Sequence, residues 1–272
     1  MLSLEISDIF LLITNELETF HKFISLSLIS KFHNNVIKTD THITKQLHIK
    51  NNDMFDYVIN NYNFKNLKLE KIVYKNDYIE YLKDCHTLDL SRNIIDYYYL
   101  IKLKGCHTLN LTSIRFTAIS TYATEVIFIN KLVKKLKYCH TLILTYCYVT
   151  NNSVKKLKNC HKLDLRCTYI DDNCIKKLRK CHTLLLSRVH LTDVKKLKNC
   201  HTLHLAYTSI TDDSVEKLKN CYELDLTYTR TTDESAQKLI NCRYVIFTDT
   251  KVSNECLNKF TESQLQKTHV NV

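Results

Sequence analysis

Six times in this chain a thiol stands directly beside an imidazole: Cys85-His86, Cys106-His107, Cys139-His140, Cys160-His161, Cys181-His182 and Cys200-His201. Cysteine and histidine are the commonest ligands of structural zinc, and as a pair they can also serve as nucleophile and base. Both chemistries make geometric demands. Structural zinc needs four ligands converging tetrahedrally at about 2.0–2.3 Å, whereas covalent catalysis needs a single oriented pair. Neither demand accounts for six copies.

The spacing accounts for them better. Cysteines at 85, 106, 139, 160, 181, 200, 221 and 242 are separated by 21, 33, 21, 21, 19, 21 and 21 residues. Each opens one frame: Cys, two residues, an aliphatic, one residue, an aliphatic, as in Cys160-Leu163-Leu165, Cys181-Leu184-Leu186 and Cys242-Val245-Phe247. Three residues on comes a small hydrogen-bonding residue (Asn93, Cys147, Thr168, Thr208, Thr229 or Thr250), usually followed two later by an apolar one such as Ile95, Val149, Ile170, Ile210 or Val252. Two weaker copies precede these, Thr44-Leu47-Ile49-Asn52 and Phe64-Leu67-Leu69, which brings the count to about ten. The frame resembles the leucine-rich repeat, L-x-x-L-x-L-x-x-N/C-x-L, with cysteine at its first leucine position. That resemblance implies an α/β leucine-rich-repeat solenoid with parallel strands on its concave side and helices outside.

Strand geometry then assigns the cysteines. Alternate side chains of a strand face one way, so both aliphatics of Leu-x-Leu point inward while adjacent Cys and His part company. "TDDSVEKLK" starts a helix for Thr211, Asp212 or Asp213 to cap, and Val215 and Leu218 return to the core at i, i+3. Val154/Leu157, Ile175/Leu178 and Val194/Leu197 repeat that pair. A single repeat cannot bury its apolar face, but stacked repeats share one core. Cysteine there is a small hydrophobe with a raised pKa, neither metal ligand nor nucleophile. The histidine is lost at Tyr222 and Arg243 while Cys221 and Cys242 keep their phase. No metal, cofactor or catalytic residue is expected, and the chain reads as a non-enzyme.

With 272 residues, 44% of them hydrophobic, the chain is long enough for a sizeable core and too apolar for disorder. One glycine, no proline and no tryptophan, with abundant Asn, Lys, Ile and Tyr, suggest an AT-rich genome such as that of an amoeba or a giant DNA virus infecting one. The N-terminus lacks a signal-peptide pattern, and no run approaches the roughly 20 apolar residues of a membrane span. The expected location is cytoplasmic, the host cytoplasm if the source is viral, with reduced thiols.

Residues 1–40 have a different, helical period. "ISDIFLLITNELETFHKFISLSLISKFHNNV" is similar to an F-box, the short helical module that docks on the Skp adaptor of SCF ubiquitin ligases. Asp8-Ile9-Phe10, Ile13 and Leu17 match its first half, and Lys22-Phe23-Ile24, Leu26 and Ser27-Leu28-Ile29-Ser30-Lys31 its second. The usual Leu-Pro is missing, and His33 stands where the family commonly has Trp. The resemblance implies an adaptor surface of Ile9, Ile13, Leu17, Leu28, Ile29 and Lys31, linking the chain to a Skp-type adaptor and a cullin ligase. The expected organisation is an F-box-like module over 1–40, the solenoid over 41–254 and a C-terminal cap over 255–272.

Outward positions of the concave face include Arg92, Tyr146, Arg166, Arg188, Tyr207 and Tyr228. Tyr and Arg are favoured anchors of protein interfaces, so these are the candidate target-binding residues. The combined expectation is a substrate receptor that holds its target near a ubiquitin-loading enzyme. A stand-alone repeat scaffold without a ubiquitin role is the first alternative, and a basic-ridge nucleic-acid binder the second.

The net charge of +11 comes largely from the helices, where Lys134, Lys135 and Lys137 recur as Lys155, Lys156 and Lys158, then Lys176, Lys177 and Arg179, then Lys195, Lys196 and Lys198. Such a ridge attracts phosphate backbones, but lysine is also a good helix former on a solvated face. Nucleic acid is therefore not the expected partner. Within the 33-residue interval, Val126-Ile127-Phe128-Ile129 reads as a degenerate strand or part of a bulging loop.

Overall fold

Each Leu-x-Leu pair lies in or beside a strand three or four residues long, and these strands stack in parallel. The computed structural model describes residues 46–61, 64–70, 72, 76–103, 105–117, 121–262 and 264–265. The F-box-like stretch lies outside the described residues, and with it Ile9, Ile13, Leu17, Leu28, Ile29 and Lys31. In chain order the elements are β1 (Leu47–Ile49), α1 (Asn52–Asn61), β2 (Asn66–Leu69), α2 (Asn76–Leu82), β3 (Thr87–Asp89), β4 (Ile94–Ile95), α3 (Tyr97–Leu100), β5 (Thr108–Asn110), β6 (Arg115–Phe116), α4 (Tyr122–Val133) and β7 (Thr141–Ile143). There follow α5 (Asn151–Val154), β8 (Lys162–Asp164), α6 (Asp172–Leu178), β9 (Thr183–Leu185), β10 (Thr202–His204), α7 (Asp212–Val215), β11 (Glu223–Asp225), α8 (Asp233–Ala236), β12 (Tyr244–Ile246) and α9 (Asn254–Leu257).

Ten of these strands form one sheet in the order β1-β2-β3-β5-β7-β8-β9-β10-β11-β12, while β4 and β6 pair separately. Register follows the frame. Leu142 pairs with Leu163, Leu163 with Leu184, Leu184 with Leu203 and Leu203 with Leu224. These leucines and their partners Leu144, Leu165, Leu186, Leu205 and Leu226 are 0% exposed. A full leucine burial is worth roughly 1.5–3 kcal/mol, and here it is repeated twice per repeat in one continuous core.

The helical side is leaner than the sequence suggests. Val154, Leu157, Val194, Leu197, Val215 and Leu218 are all buried as expected. Yet α5, α7 and α8 each span four residues, and Lys195–Leu197 is a 3₁₀ turn. A four-residue helix closes only a first turn, so its free N–H groups need partners elsewhere. Thr211 sits at the N-cap of α7 without making a side-chain cap bond. Asp212 instead reaches the next repeat, accepting from Thr232 N at 2.9 Å, Thr232 Oγ1 at 2.7 Å and Ser235 Oγ at 2.5 Å. Asn130, Asp172 and Asp233 accept in the same way from the backbone N–H groups of Thr150, Thr192 and Ser253. Asp172, Asp212 and Asp233 at helix starts, and Asn130 in the last turn of α4, are therefore staples between repeats. Their hydrogen bonds hold the Asp212 and Asp233 carboxyls below the usual carboxylate range.

The long interval corrects one expectation. Val126–Ile129 is neither strand nor loop but the middle of α4, twelve residues long. Ile129, Leu132 and Val133 face the core, and Thr121 Oγ1 caps the start by accepting from Thr124 N. Four consecutive apolar residues fit strand or helix equally, and here the surrounding i, i+3 spacing prevails. At the other end Phe260 packs edge-on against Phe247 at 5.4 Å, while Val245 N donates to Gln264 O at 2.8 Å.

Candidate functional site

Eight of the ten strands, β3, β5 and β7 to β12, leave the sheet through a turn that carries one residue in the left-handed region. Arg92, Ser113, Tyr146, Cys167, Arg188, Tyr207, Tyr228 and Asp249 have φ between 52° and 60°. Their N–H groups extend the ladder past the strand: Tyr146 donates to Arg166 O, Arg188 to Ala206 O and Tyr207 to Thr227 O. The next residue closes the turn, with Thr168, Thr208 and Thr229 hydroxyls donating to Leu165, Leu205 and Leu226 carbonyls at 2.6–2.7 Å. This is why the frame has a small hydrogen-bonding residue there.

Five of the six candidate target-binding residues, Arg92, Tyr146, Arg188, Tyr207 and Tyr228, occupy that left-handed position, which turns their side chains outward. Three of them touch. The Arg188 guanidinium lies 4.7 Å over the Tyr207 ring, and Tyr207 stacks on Tyr228 at 4.5 Å. Tyr207 and Tyr228 nevertheless remain 46% and 50% exposed, so the stack is a surface ridge. Arg166 comes one residue earlier in its turn and is spoken for, because its Nε and Nη2 clamp the buried Asp164 carboxylate at 2.7–3.1 Å. Arg92 stands apart from the stack, with Ser113 in the turn that follows it.

At the opposite end of each strand the Cys-His pairs divide as the alternation predicts. The eight frame cysteines are at most 2% exposed, and the six histidines are exposed. Burial pushes the thiols of Cys85, Cys106, Cys160, Cys181, Cys200 and Cys221 up to about 12. Among the described residues no three His, Cys, Asp or Glu side chains gather as a metal site requires.

What the sequence reading missed is the order among the histidines. His86, His107, His140, His161, His182 and His201 stack ring on ring at 4.3–4.6 Å with interplanar angles of 12–20°, and Tyr222 continues the column at 4.5 Å. The backbone builds this column, since the N–H groups of His140, His161, His182 and His201 each donate to the carbonyl of the histidine one repeat earlier. In five rungs Nδ1 lies 3.2–3.3 Å from the following threonine hydroxyl, which fixes the ring plane. Parallel rings aim their nitrogens side by side rather than toward a common point, the reverse of what a shared metal ion needs. Desolvation first, and then the neighbouring rings, lower the pKa of His107 and His182. The signal available in the sequence was the constant phase of histidine after cysteine.

The helix lysines lie on the surface as expected. Lys134, Lys135, Lys156, Lys176, Lys177 and Lys196 are exposed, and Lys195 forms an ion pair with Asp213.

No protein-family profile matches the chain, and neither does any curated protein. Solved structures do match. An internalin from Listeria monocytogenes superposes with a TM-score of 0.54 at 15% identity, covering 75% of this chain and 67% of that one. A leucine-rich-repeat protein from Leptospira interrogans gives a TM-score of 0.50 at 18% identity, covering 75% of this chain and 61% of that one. Together with the one-frame parallel sheet, these likenesses give the chain an α/β leucine-rich-repeat solenoid fold.

Proposed function

We propose that the chain is a recognition protein whose sheet-side turns bind a protein target and whose residues 1–40 recruit a Skp-type adaptor of an SCF-type ubiquitin ligase. The observation that carries the first half is the exposed Arg188-Tyr207-Tyr228 stack. Rigid aromatic and guanidinium groups held outward are the side chains that dominate protein interfaces. They come prepaid in conformational entropy, because the left-handed backbone and mutual stacking fix their direction. The second half is supported by the resemblance of the first 40 residues to an F-box. In this reading the chain catalyses nothing and acts by raising the local concentration of a target near the ligase, in the cytoplasm.

The experiment is binding of the full-length protein to a purified Skp-type adaptor, beside the variant Leu28→Ala/Ile29→Ala. The wild type should bind, and the variant should lose well over tenfold in affinity, at about 2 kcal/mol or more per buried anchor. Its melting curve should match the wild type, since the repeats bury a continuous core of their own from Ile49 onward. A well-folded wild type that binds no adaptor would remove the ligase role and leave a repeat scaffold.

A further inference from the structure

Target recognition by the sheet-side turns leaves the strand-start edge unused, and that edge is chemically unlike the turns. Its first column is the exposed imidazole ladder from His86 to His201. A second column runs three residues earlier in each repeat, where Lys137, Lys158, Arg179 and Lys198 are all exposed. Lys180 and, in the middle of the run, Lys162 add to it. The groups facing the ladder from its neighbours are mostly cationic or neutral. Lys65 leads into it, with its carbonyl accepting from His86 N, and threonine hydroxyls flank five of the rungs. Carboxylates stand toward its two ends: Asp84 beside the first rung with Glu80, which pairs with Lys83 at 2.6 Å, and at the far end Glu216, which shares a surface cleft with Lys198, and Glu223, where His204 Nε2 lies 2.9 Å away.

We propose that this edge binds the phosphate backbone of a nucleic-acid strand, the basic column and the imidazole ladder together supplying the positive charge. Three features favour phosphate over an acidic protein. Identical groups at constant pitch suit a ligand with a uniformly repeated charge, and a protein surface rarely offers one. Lysine is depleted from protein interfaces but is a regular point-charge partner of phosphate. Between His86 and His201, among the described residues, the edge holds no arginine over an exposed tyrosine of the kind that marks the turns, and Arg243 lies over Tyr244 at 5.5 Å only beyond the last histidine. Because the inner rings cover each other's faces, base stacking is closed to them, and recognition is of backbone rather than sequence.

The ladder gives this binding a pH dependence with a definite sign. Desolvation first, and then repulsion from the flanking rings 4.3–4.5 Å away, disfavour a proton on His107 and His182. A phosphate lying along the rungs offsets that repulsion, so binding takes up protons. Affinity therefore rises as pH falls toward the imidazole range, while the lysines carry a pH-independent share.

The test uses the full-length protein and a fluorescein-labelled oligouridylate of roughly 20 nucleotides, read by anisotropy at about 50 mM salt. Between about pH 7.5 and about pH 6 the wild type should gain on the order of tenfold in affinity. The ladder variant His140→Gln/His161→Gln/His182→Gln should lose most of that gain, its affinity changing far less with pH than that of the wild type. Lys158→Gln/Lys198→Gln should bind severalfold more weakly at both pH values and with a shallower salt dependence. All five positions are exposed, so folding should survive; if the triple variant melts early, the lysine pair and His161→Gln alone decide the question. An absence of binding by the wild type near pH 6 overturns the proposal, and so does an unchanged pH response in the folded ladder variants. Displacement of the RNA by poly-glutamate at equal charge concentration also overturns it, making an acidic polypeptide the occupant.

Discussion

Native thiol reactivity gives the sharpest separation between a packed cysteine column and a chemically active one. Of the twelve cysteines, eleven are buried and Cys167 is half-buried, in the left-handed turn beside Tyr146. Burial raises Cys160, Cys181 and Cys200 from an ordinary 9 to about 12. Three units of pKa reduce the thiolate fraction at about pH 8 roughly a thousandfold; the greater nucleophilicity of a more basic thiolate returns a factor of about 20–30, at a Brønsted coefficient of about 0.4–0.5. Electrostatics alone thus slow these thiols about 30- to 50-fold, and exclusion of reagent from a site at most 1% exposed slows them further. Titration of the native protein with a chromogenic disulfide should therefore show one fast thiol per chain. The other eleven should wait for local opening and react together once denaturant is added. Replacing Cys167 with Ser should abolish the fast phase and leave the melting curve nearly unchanged. If three or more thiols react fast in the native wild type, or if the fast phase survives in Cys167→Ser, the packing account of the cysteines is wrong.

Two further outcomes test the frame itself. Leu163→Asp places a charge at a 0% exposed position between Leu142 and Leu184, and should cost several kcal/mol, seen by circular dichroism as a collapsed melting temperature; a wild-type melt would refute the register. Ser113→Gly relieves a left-handed φ of 53° that costs an L-residue about 1–2 kcal/mol, against a glycine entropy penalty of about 0.5–1 kcal/mol, so denaturant melts should show stability unchanged or raised by up to about 1 kcal/mol. A clear loss would mean that the Ser113 side chain supports the turn.

The sheet was legible because its signal is short-range and repeated. The Cys-x-x-Leu-x-Leu frame specifies which side chains go inward, and eight copies leave one way to pair them. The helical side was harder for a physical reason. In α5, α7 and α8 the helix is one turn, so stability resides in contacts to the next repeat, such as Asp212 with Thr232, which no local propensity reveals. Asp at a helix start reads as a cap for its own helix, but here it staples its neighbour. The interval at Val126–Ile129 misled for the opposite reason, since four apolar residues carry no period of their own.

The candidate surfaces divide along the same line. Outward positions could be named from alternation, but which of them touch depends on the backbone between them. Arg188, Tyr207 and Tyr228 share a left-handed turn position and so stack, whereas Arg166 falls one residue short and spends its guanidinium on Asp164. In a chain with a single glycine, that left-handed position falls to residues with side chains, and each one is thereby aimed outward. The same logic applies to histidine. One exposed imidazole after one buried cysteine is an ordinary surface residue. Six in phase, five of them with a backbone N–H reaching the previous repeat, are obliged to stack at the strand spacing. The repeat that makes the thiols inert thus makes the imidazoles collective. Their continuous stacking, which no single Cys-His pair would suggest, is the property that sets this edge apart from the turns.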